Sequence, residues 1–433
     1  METCDLLVVG AGPAGVSAAA EASRHGLQVI LVDSRPNAGG QYYARPAPAS
    51  AFGGLPDKLT TGMSPERVAY WGRSELWGAF GDVMAVTTPA GTRLVAPRGV
   101  VVATGALERP QPFPGWTDPS VMSAGAAQLL LKEHRVVLGG RVVLAGSGPF
   151  LVAVAAQLRQ AGADVVALVE ASPWPTLARR LAPLVASRTL VPDALRFAAL
   201  LRRVPRIFGA RLVGAADGAV TLSTGDRIAY DVLCVGHGFE PRVALALLLG
   251  CETSGAGVTV DGRQCTSLPR VYAAGEATGV GGAALAAVEG RISGLSAAAD
   301  LIGELAGADR QRLRRLERRR SRLRHTAARL LGAYPQLDPL ALADDETVVC
   351  RCEGVTLASV RATQRAVPPA EGTRALKALL RCGMGACQGA YCALSLRSAV
   401  GSSGELTATI ESRVRPPIAP VRVGEVARLD HFS

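Results

Sequence analysis

Asp5-Leu6-Leu7-Val8-Val9-Gly10-Ala11-Gly12-Pro13-Ala14-Gly15 is the stretch whose reading decides the fold. The apolar run reads as a buried strand, the glycines as a tight turn and the Ala-rich residues beyond as a helix. Gly10 lets the chain turn at the strand end, Gly12 lets backbone approach a pyrophosphate, and Gly15 lets the helix pack close on the strand. Pro13 and Ala14 begin the helix, whose free N–H groups face the phosphates. A second strand, Gln28-Val29-Ile30-Leu31-Val32, ends in Asp33 and Ser34, and Asp33 has the spacing of the acid that binds an adenosine ribose. A glycine turn without a ligand is the competing reading. With strand, helix and ribose acid in register, a dinucleotide site is favoured.

The chain has 433 residues, enough for about three domains by length. Its 48 % hydrophobic content supports sizeable cores, and its many glycines suit an α/β protein with tight turns. Strand one begins almost at the first residue, so no signal peptide is expected. Ala-rich stretches are broken by Arg, Glu and Gln, so no membrane span is expected. The resulting expectation is a cytoplasmic protein that meets a membrane only through a partner. The formal charge of +11 raises the question of nucleic acid. Much of that excess lies between Arg310 and Arg329, where Leu313, Leu316, Leu323 and Leu330 recur at helical spacing. A solvated helix with one packed face is favoured there, since no aromatic interleaving accompanies the charge, and no nucleic-acid partner is expected.

Beyond the exit loop Asn37-Ala38-Gly39-Gly40-Gln41, residues 46–98 carry Pro and Gly punctuation and give little pattern. Gly99 to Ala103 then reads as a buried strand ending at Thr104-Gly105, followed by a Pro-rich crossover through Pro110, Pro112, Pro114 and Pro119. A second strand–turn–helix follows: Arg141 to Ala145, the turn Gly146-Ser147-Gly148-Pro149, a helix from Phe150 to Ala161, and a strand Val165 to Val169 ending in Glu170. This repeats the opening unit, except that Leu151 stands where the third glycine would be, which compromises the close approach of helix to strand. Residues 174–212 are expected to be helical, and Asp231 to Gly236 repeats the strand before Thr104. A short strand ends at Gly275-Glu276, and Gly279, Gly281, Gly282 and Ala283 lead into a small-residue helix. Such a turn places a carboxylate by a ribityl chain and a helix N-terminus near a pyrophosphate.

Of nine cysteines, five fall between Cys350 and Cys392, which argues for a metal centre rather than disulfides. Cys350-Arg351-Cys352 and Cys382-Gly383-Met384-Gly385-Ala386-Cys387 are separated by segments expected to be helical, Thr356 to Ala366 and Thr373 to Leu380. Two close thiolate pairs joined by a helical hairpin suit an iron–sulfur cluster or zinc. The spacing favours iron–sulfur, and reduced core cysteines are the reading without a metal. Cys392 is left over as a buried thiol.

The two strand–turn–helix units, Ala103-Thr104-Gly105 and the Gly275-Glu276 turn resemble the two-dinucleotide-domain flavoprotein reductases. A sharper resemblance is to the FAD-containing subunits of bacterial multi-subunit amine and imino acid dehydrogenases. That group includes hydrogen cyanide synthase, octopine and nopaline oxidases, and dye-linked proline and hydroxyproline dehydrogenases. It is carried by Ala103 to Pro110, Pro114-Gly115-Trp116, Ala145 to Pro149, Cys234-Val235-Gly236-His237-Gly238-Phe239, Gly281 to Leu285, Cys382 to Gly389 and Val414 to Val421. The cysteine region is similar to the bacterioferritin-associated ferredoxin (BFD) type of [2Fe–2S] domain.

The resemblance implies an α/β chain with two Rossmann-like domains and a small helical BFD-like [2Fe–2S] domain. Its expected layout is an FAD domain over 1–118 and 240–306, a nucleotide-like domain over 119–239, a basic helical linker over 307–342, the cluster domain over 343–400 and a tail over 401–433. FAD is implied at Gly10, Gly12, Pro13, Ala14, Gly15, Asp33, Ser34, Gly40, Gln41, Thr104, Gly105, Gly275, Glu276, Gly282 and Ala283. Glu276 departs from the Asp usual there. Cys350, Cys352, Cys382 and Cys387 carry over as cluster ligands. The second unit, with Gly146, Gly148 and Glu170, is expected to hold an adenine nucleotide (ATP or NAD) structurally or to stay empty, with a working NADH site as the alternative. No CxxC lies near Gly40 or Gln41, which sets aside a catalytic disulfide. His237 is read as structural, and no catalytic residue is assigned. The implied function is electron relay within a hetero-oligomer. Its partners would be a substrate-oxidising flavoprotein subunit together with a small ferredoxin-like subunit. A scaffold free of redox flux is the remaining alternative.

Overall fold

Alternation within the first strand organises the front of the chain. In the computed structural model, β1 (Glu2–Val9) sends Leu6 and Val8 into one apolar cluster and Leu7 and Val9 into another, so it is buried on both faces. The structure describes all residues except 47–49, 185–190, 256, 304–305, 335, 368–371, 401–413 and 428–433. The chain divides into two compact units, Met1–Leu107 with Glu240–Ala327 and Glu411–Ser433, and Glu108–Phe239 with Ala328–Ile410.

In the first unit β1 is followed by α1 (Pro13–Arg24) and then by β2 (Val29–Val32) and β3 (Val68–Trp71). An antiparallel meander of β4 (Glu75–Phe80), β5 (Val83–Thr88) and β6 (Gly91–Val102) completes the run. The seven-stranded sheet runs β3-β2-β1-β6-β5-β4, and the short strand Val271–Ala273 also pairs with β6. The meander occupies residues with little sequence pattern. β4 and β5 are six residues each with no in–out alternation of burial, and the first half of β6 mixes exposed and buried positions, so their apolar periodicity is weak. On one face α1 packs against the late helix Ala283–Ile302. Gly290 and Gly294 of that helix press on the carbonyls of Ala14 and Ala18, so neither position has room for a Cβ. From the tail, Ile418 donates its N–H to the Trp77 carbonyl (2.8 Å) and Ala419 joins the Trp77, Ala85 and Leu94 cluster.

The second unit holds a five-stranded parallel sheet. Its order is Arg206–Phe208, Asp164–Glu170, Arg141–Gly146, Val232–Gly236, Val121–Ser123. The helix Pro149–Gln160 packs on it, and a small antiparallel sheet spans Leu212–Ala216, Ala219–Leu222 and Arg227–Ala229. The expectation of helix throughout 174–212 is corrected. Helices occupy Trp174–Leu181 and Val191–Leu200, but Arg206–Phe208 forms the parallel edge strand beside Glu170. The cysteine region belongs to this unit. A hairpin, Val348–Cys350 with Val355–Thr356, is followed by helices Leu357–Ala366, Gly372–Leu380 and Ala393–Val400 around Val349, Val360, Leu376 and Leu396. The Trp116 indole N–H ties the hairpin down by donating to the Val348 carbonyl (2.7 Å).

No helix among the described residues is long and apolar enough to cross a membrane.

Candidate functional site

The opening turn is closed everywhere except at Gly12. Gly10 has φ +102°, and a Cβ there would strike the Ala103 carbonyl. A Cβ on Gly15 would strike the Gly10 carbonyl and sit 3.3 Å from Val8 Cγ1. Around a Cβ on Gly12 there is nothing within 4 Å. Gly12 is the N-cap of α1 and Pro13 its first residue, so the helix presents unsatisfied N–H groups next to that open space. Gly39 returns to the turn by donating its N–H to the Ala11 carbonyl (2.7 Å), and Gly40 lies so close that its Cβ would be 2.9 Å from Gly12 Cα. Ser34 and Gln41 stand exposed at the margin.

Asp33 closes the β2 end of this turn. Its carboxylate accepts the N–H of Ala11 (2.6 Å) and of Arg35 (2.8 Å). Burial raises its pKa, while those two N–H groups and the Arg35 and Arg242 charges pull the other way.

The late turn approaches α1 from the other side. Gly275 has φ +75°, and a Cβ there would be 2.8 Å from the Ala14 methyl. Glu276 is raised in pKa by burial, and the Gly282 N–H at the start of the late helix opposes that shift. The extra methylene of Glu over Asp is therefore taken up at the helix N-terminus. Gly282, with φ +82°, has nothing within 4 Å of its Cβ position, and Ala283 begins the helix. Thr104 Oγ1 donates to the Arg242 carbonyl (2.6 Å), and the Gly105 carbonyl accepts the Arg242 N–H (2.9 Å). These bonds fix the strand exit against the segment that returns from the second unit.

Sequence reasoning missed the support beneath this turn. Glu289 is wholly buried and accepts the N–H of Gly275 (3.0 Å) and the hydroxyl of Thr278 (3.3 Å). Its other oxygen receives Arg324, from the arginine-rich helix Gly307–Gly332. Arg320 of the same helix donates to the Asp261 and Gly262 carbonyls (3.1 and 2.9 Å) and to Gln264 Oε1 (3.0 Å). Arg312 pairs with buried Glu21 (2.8 Å). The leucine face expected for this helix is half-buried rather than fully buried: Leu313, Leu316, Leu323 and Leu330 are partly covered, and arginines at 312, 320 and 324 anchor the same side. Their spacing of eight and four puts them on one face, which was the available signal.

In the second unit Gly146 and Gly148 have φ +148° and +123°. Glu170 is 4 % exposed and accepts Ser147 Oγ (2.8 Å), the Gly148 N–H (3.0 Å) and the Ser172 N–H (2.9 Å). Leu151 is accommodated because Gly236 on the neighbouring strand is small: a Cβ there would be 3.3 Å from Leu151 Cδ1. The room has moved from the helix to the strand, so helix and strand still approach. Beyond Gly236, the His237 Nε2 is buried with no hydrogen-bond partner among the described residues. Burial, aided by the Arg109 charge, lowers the His237 pKa to about 4. Glu108 accepts the Gly125 N–H at 2.9 Å on each oxygen and also the Ser123 hydroxyl, and burial raises its pKa.

Three of the five C-terminal cysteines, Cys350, Cys382 and Cys392, share one small core, and Cys352 and Cys387 lie beside it. Cys350, Cys382 and Cys392 are buried, Cys387 is half-buried and Cys352 exposed. The Cys350 thiol contacts those of Cys382 and Cys392, and Cys352 contacts Cys387. Cys392 is therefore a buried thiol as expected, but one placed against the predicted ligands. Burial, reinforced by Cys350, pushes the Cys382 thiol up to about 12. At Cys387 burial opposes ionisation, yet the N–H groups of Tyr391, Gly389 and Ala390 and the Cys352 thiol hold its pKa below the usual value. Among the described residues, no three His, Cys, Asp or Glu side chains are gathered as a single ion would need. The contacts group Cys350 with Cys382 and Cys392, and Cys352 with Cys387.

The profile of the pyridine nucleotide-disulphide oxidoreductase family matches residues 4–298. An opine oxidase subunit from Agrobacterium tumefaciens is 34 % identical over 99 % of this chain and 92 % of its own length. The HcnB subunit of hydrogen cyanide synthase from Pseudomonas aeruginosa is 33 % identical over 91 % of this chain and 93 % of its own. Among solved structures, L-proline dehydrogenase from P. horikoshii superposes with a TM-score of 0.70 at 19 % identity, covering 98 % of this chain and 80 % of that one. The last comparison bears on the fold alone.

Proposed function

The chain belongs to the pyridine nucleotide-disulphide oxidoreductases, and within them to the family that holds this opine oxidase subunit and HcnB. On that premise we propose that it is the FAD- and iron–sulfur-containing electron-transfer subunit of a multi-subunit amino or imino acid dehydrogenase or oxidase. Its substrate class is proline, hydroxyproline, an opine or a related amine. Oxidation of that substrate is assigned to a partner flavoprotein, with a small ferredoxin-like subunit completing the assembly. The observation that carries this reading is a set of five neighbouring thiols, three of them in one core, in a chain that also opens a glycine turn at Gly12.

FAD would accept electrons in pairs, and a [2Fe–2S] cluster would pass them on singly. The chain's own residues divide the work of holding these groups. Gly12 and the first N–H groups of α1 would meet the pyrophosphate, with Gly10, Pro13, Ala14, Gly15 and Gly40 shaping the space. Asp33 would meet the adenosine ribose, with Ser34 and Gln41 at its margin. Gly275, Glu276, Gly282 and Ala283 would flank the ribityl side, and Thr104 and Gly105 the strand exit.

Cys350, Cys352, Cys382 and Cys387 would hold the cluster. Among the four, the separate contacts Cys350–Cys382 and Cys352–Cys387 support this choice over zinc, since a two-iron cluster takes two ligands at each iron whereas zinc takes four about one point. A bound cation would offset the burial that raises the Cys382 pKa. The Gly389, Ala390 and Tyr391 N–H groups would stabilise charge on Cys387.

The second turn, with Gly146, Gly148 and Glu170, is proposed to hold an adenine nucleotide (ATP or NAD) structurally or to stay empty. The open space at Gly148 favours a second reading, an NADH-driven reductase. The test is to purify the full chain and assay flavin, iron and acid-labile sulfide. Dye reduction is then followed with the co-expressed partner and proline, hydroxyproline, octopine or nopaline. Flavin without iron, with zinc on the thiols, would defeat the relay. Anaerobic bleaching of the flavin by NADH within seconds would favour the second reading.

A further inference from the structure

The support beneath the late turn is built from two charged side chains that no cofactor contact requires. Glu289 sits in the late helix, fully buried, one oxygen receiving the Gly275 N–H (3.0 Å) and the Thr278 hydroxyl (3.3 Å). The Arg324 guanidinium reaches the other oxygen, and it also donates to Thr278 Oγ1 (3.1 Å) and to the Thr278 carbonyl (3.3 Å). Among the described residues, every polar atom that Arg324 is bonded to thus belongs to Glu289 or to the turn Gly275–Thr278. A buried carboxylate is costly unless paired, and here the pair is spent on fixing one backbone segment. That segment carries Gly275, pressed to within 2.8 Å of the Ala14 methyl, and Glu276.

We propose that Arg324 and Glu289 are positioning residues that hold the Gly275–Thr278 turn in the shape that receives the ribityl side of FAD. The arginine-rich helix thereby governs how firmly the flavin is retained. This rests on the assignment of FAD to the opening turn. Arg320 supplies the internal comparison, because it docks the same helix onto Asp261, Gly262 and Gln264 by hydrogen bonds, bonds no atom of the turn and reaches Glu289 only through its charge.

The experiment measures FAD release from full-length protein by the recovery of free-flavin fluorescence, with a thermal melt of each variant. Arg324→Ala and Glu289→Gln are expected to speed release by about tenfold or more. Glu289→Gln keeps an acceptor for the Gly275 N–H and nearly the same volume, so it guards against simple failure to fold. Arg324→Lys should restore part of the retention, and Arg320→Ala should lower the melting temperature while leaving release near the wild-type rate. Unchanged release in both Arg324→Ala and Glu289→Gln would overturn the inference. So would equal acceleration by Arg320→Ala, because loss of helix docking would then be sufficient. A wild-type chain that takes up no FAD would overturn the site assignment, and this inference with it.

Discussion

Replacing Gly12 and Gly15 one at a time by alanine separates a glycine kept for a ligand from one kept for packing. Gly12 has φ −70° and ψ −175°, which alanine adopts freely, and its Cβ would meet nothing within 4 Å. Alanine is a poorer N-cap than glycine by about 1 kcal/mol or less. The reduced freedom of the unfolded chain returns about 0.4–1 kcal/mol. The stability of FAD-free Gly12→Ala should therefore match the wild type. At Gly15 the added methyl would lie 2.9 Å from the Gly10 carbonyl carbon, closer still to its oxygen, and 3.3 Å from Val8 Cγ1. Both obstacles are backbone or core, so α1 has to move off β1. Overpacking of this kind costs about 1–3 kcal/mol, or about 2–10 °C in melting temperature for a domain of this size. FAD titration followed by quenching of flavin fluorescence should reverse the order of effect per unit of lost stability. Gly12→Ala should weaken binding by about tenfold or more, since the methyl takes the space of a pyrophosphate. If Gly12→Ala binds FAD like the wild type, the open space at Gly12 is not where the phosphates lie, and the assignment of the turn fails.

Two other expectations can be checked on the same protein. Serine at Cys350, Cys352, Cys382 or Cys387 should abolish iron incorporation, measured as iron and acid-labile sulfide per chain, while Cys392→Ser should retain it; retention in Cys382→Ser with loss in Cys392→Ser would transfer the fourth ligand to Cys392. His237, with a folded pKa of about 4 against an ordinary 6.5, binds fewer protons folded than unfolded, so its contribution to stability is full above pH 6.5 and is lost as pH falls toward 4. The loss is at most about 3 kcal/mol, and a His237→Gln variant whose denaturation midpoint keeps the wild-type pH slope between 6.5 and 4 would refute it.

The opening turn was legible in the sequence because its demands are local. A strand that must end, a backbone that must bend and a helix that must pack close each call for glycine within a few residues, and Asp33 follows at a fixed distance. The thiols were legible for the same reason, through their spacing. What escaped was set by distant partners. Glu289 reads as an interruption of a small-residue helix until Arg324, 35 residues later, is placed beside it. In the arginine-rich helix the leucines carry the familiar periodicity and are half-buried, but the buried acids Glu21 and Glu289 bring arginines to the same side, since each needs a cation more than it needs an apolar neighbour. Leu151 looked like a defect because the compensating Gly236 lies on a strand 85 residues away. Arg206–Phe208 is too short to carry a period, and its strand character comes from pairing with Leu168–Glu170.

The two glycine turns differ in one atom count, and that difference separates their roles. Asp33 reaches the N–H of Ala11, the residue between the two glycines, and stops there. Glu170 is a methylene longer and reaches one residue further, to the Gly148 N–H, while its remaining oxygen takes Ser147 Oγ and the Ser172 N–H. The first acid thus leaves the N-cap glycine N–H of its turn to a ligand. The second engages that group itself and brings a negative charge to the mouth of the helix Pro149–Gln160, where a phosphate would otherwise be drawn. Any nucleotide at the second turn has to displace this carboxylate from a bond it already makes, and a phosphate must do so against like charge. Two copies of one supersecondary unit therefore need not be two copies of one site, and the lengthening of a single acid favours the first turn as the place where a dinucleotide is held most tightly.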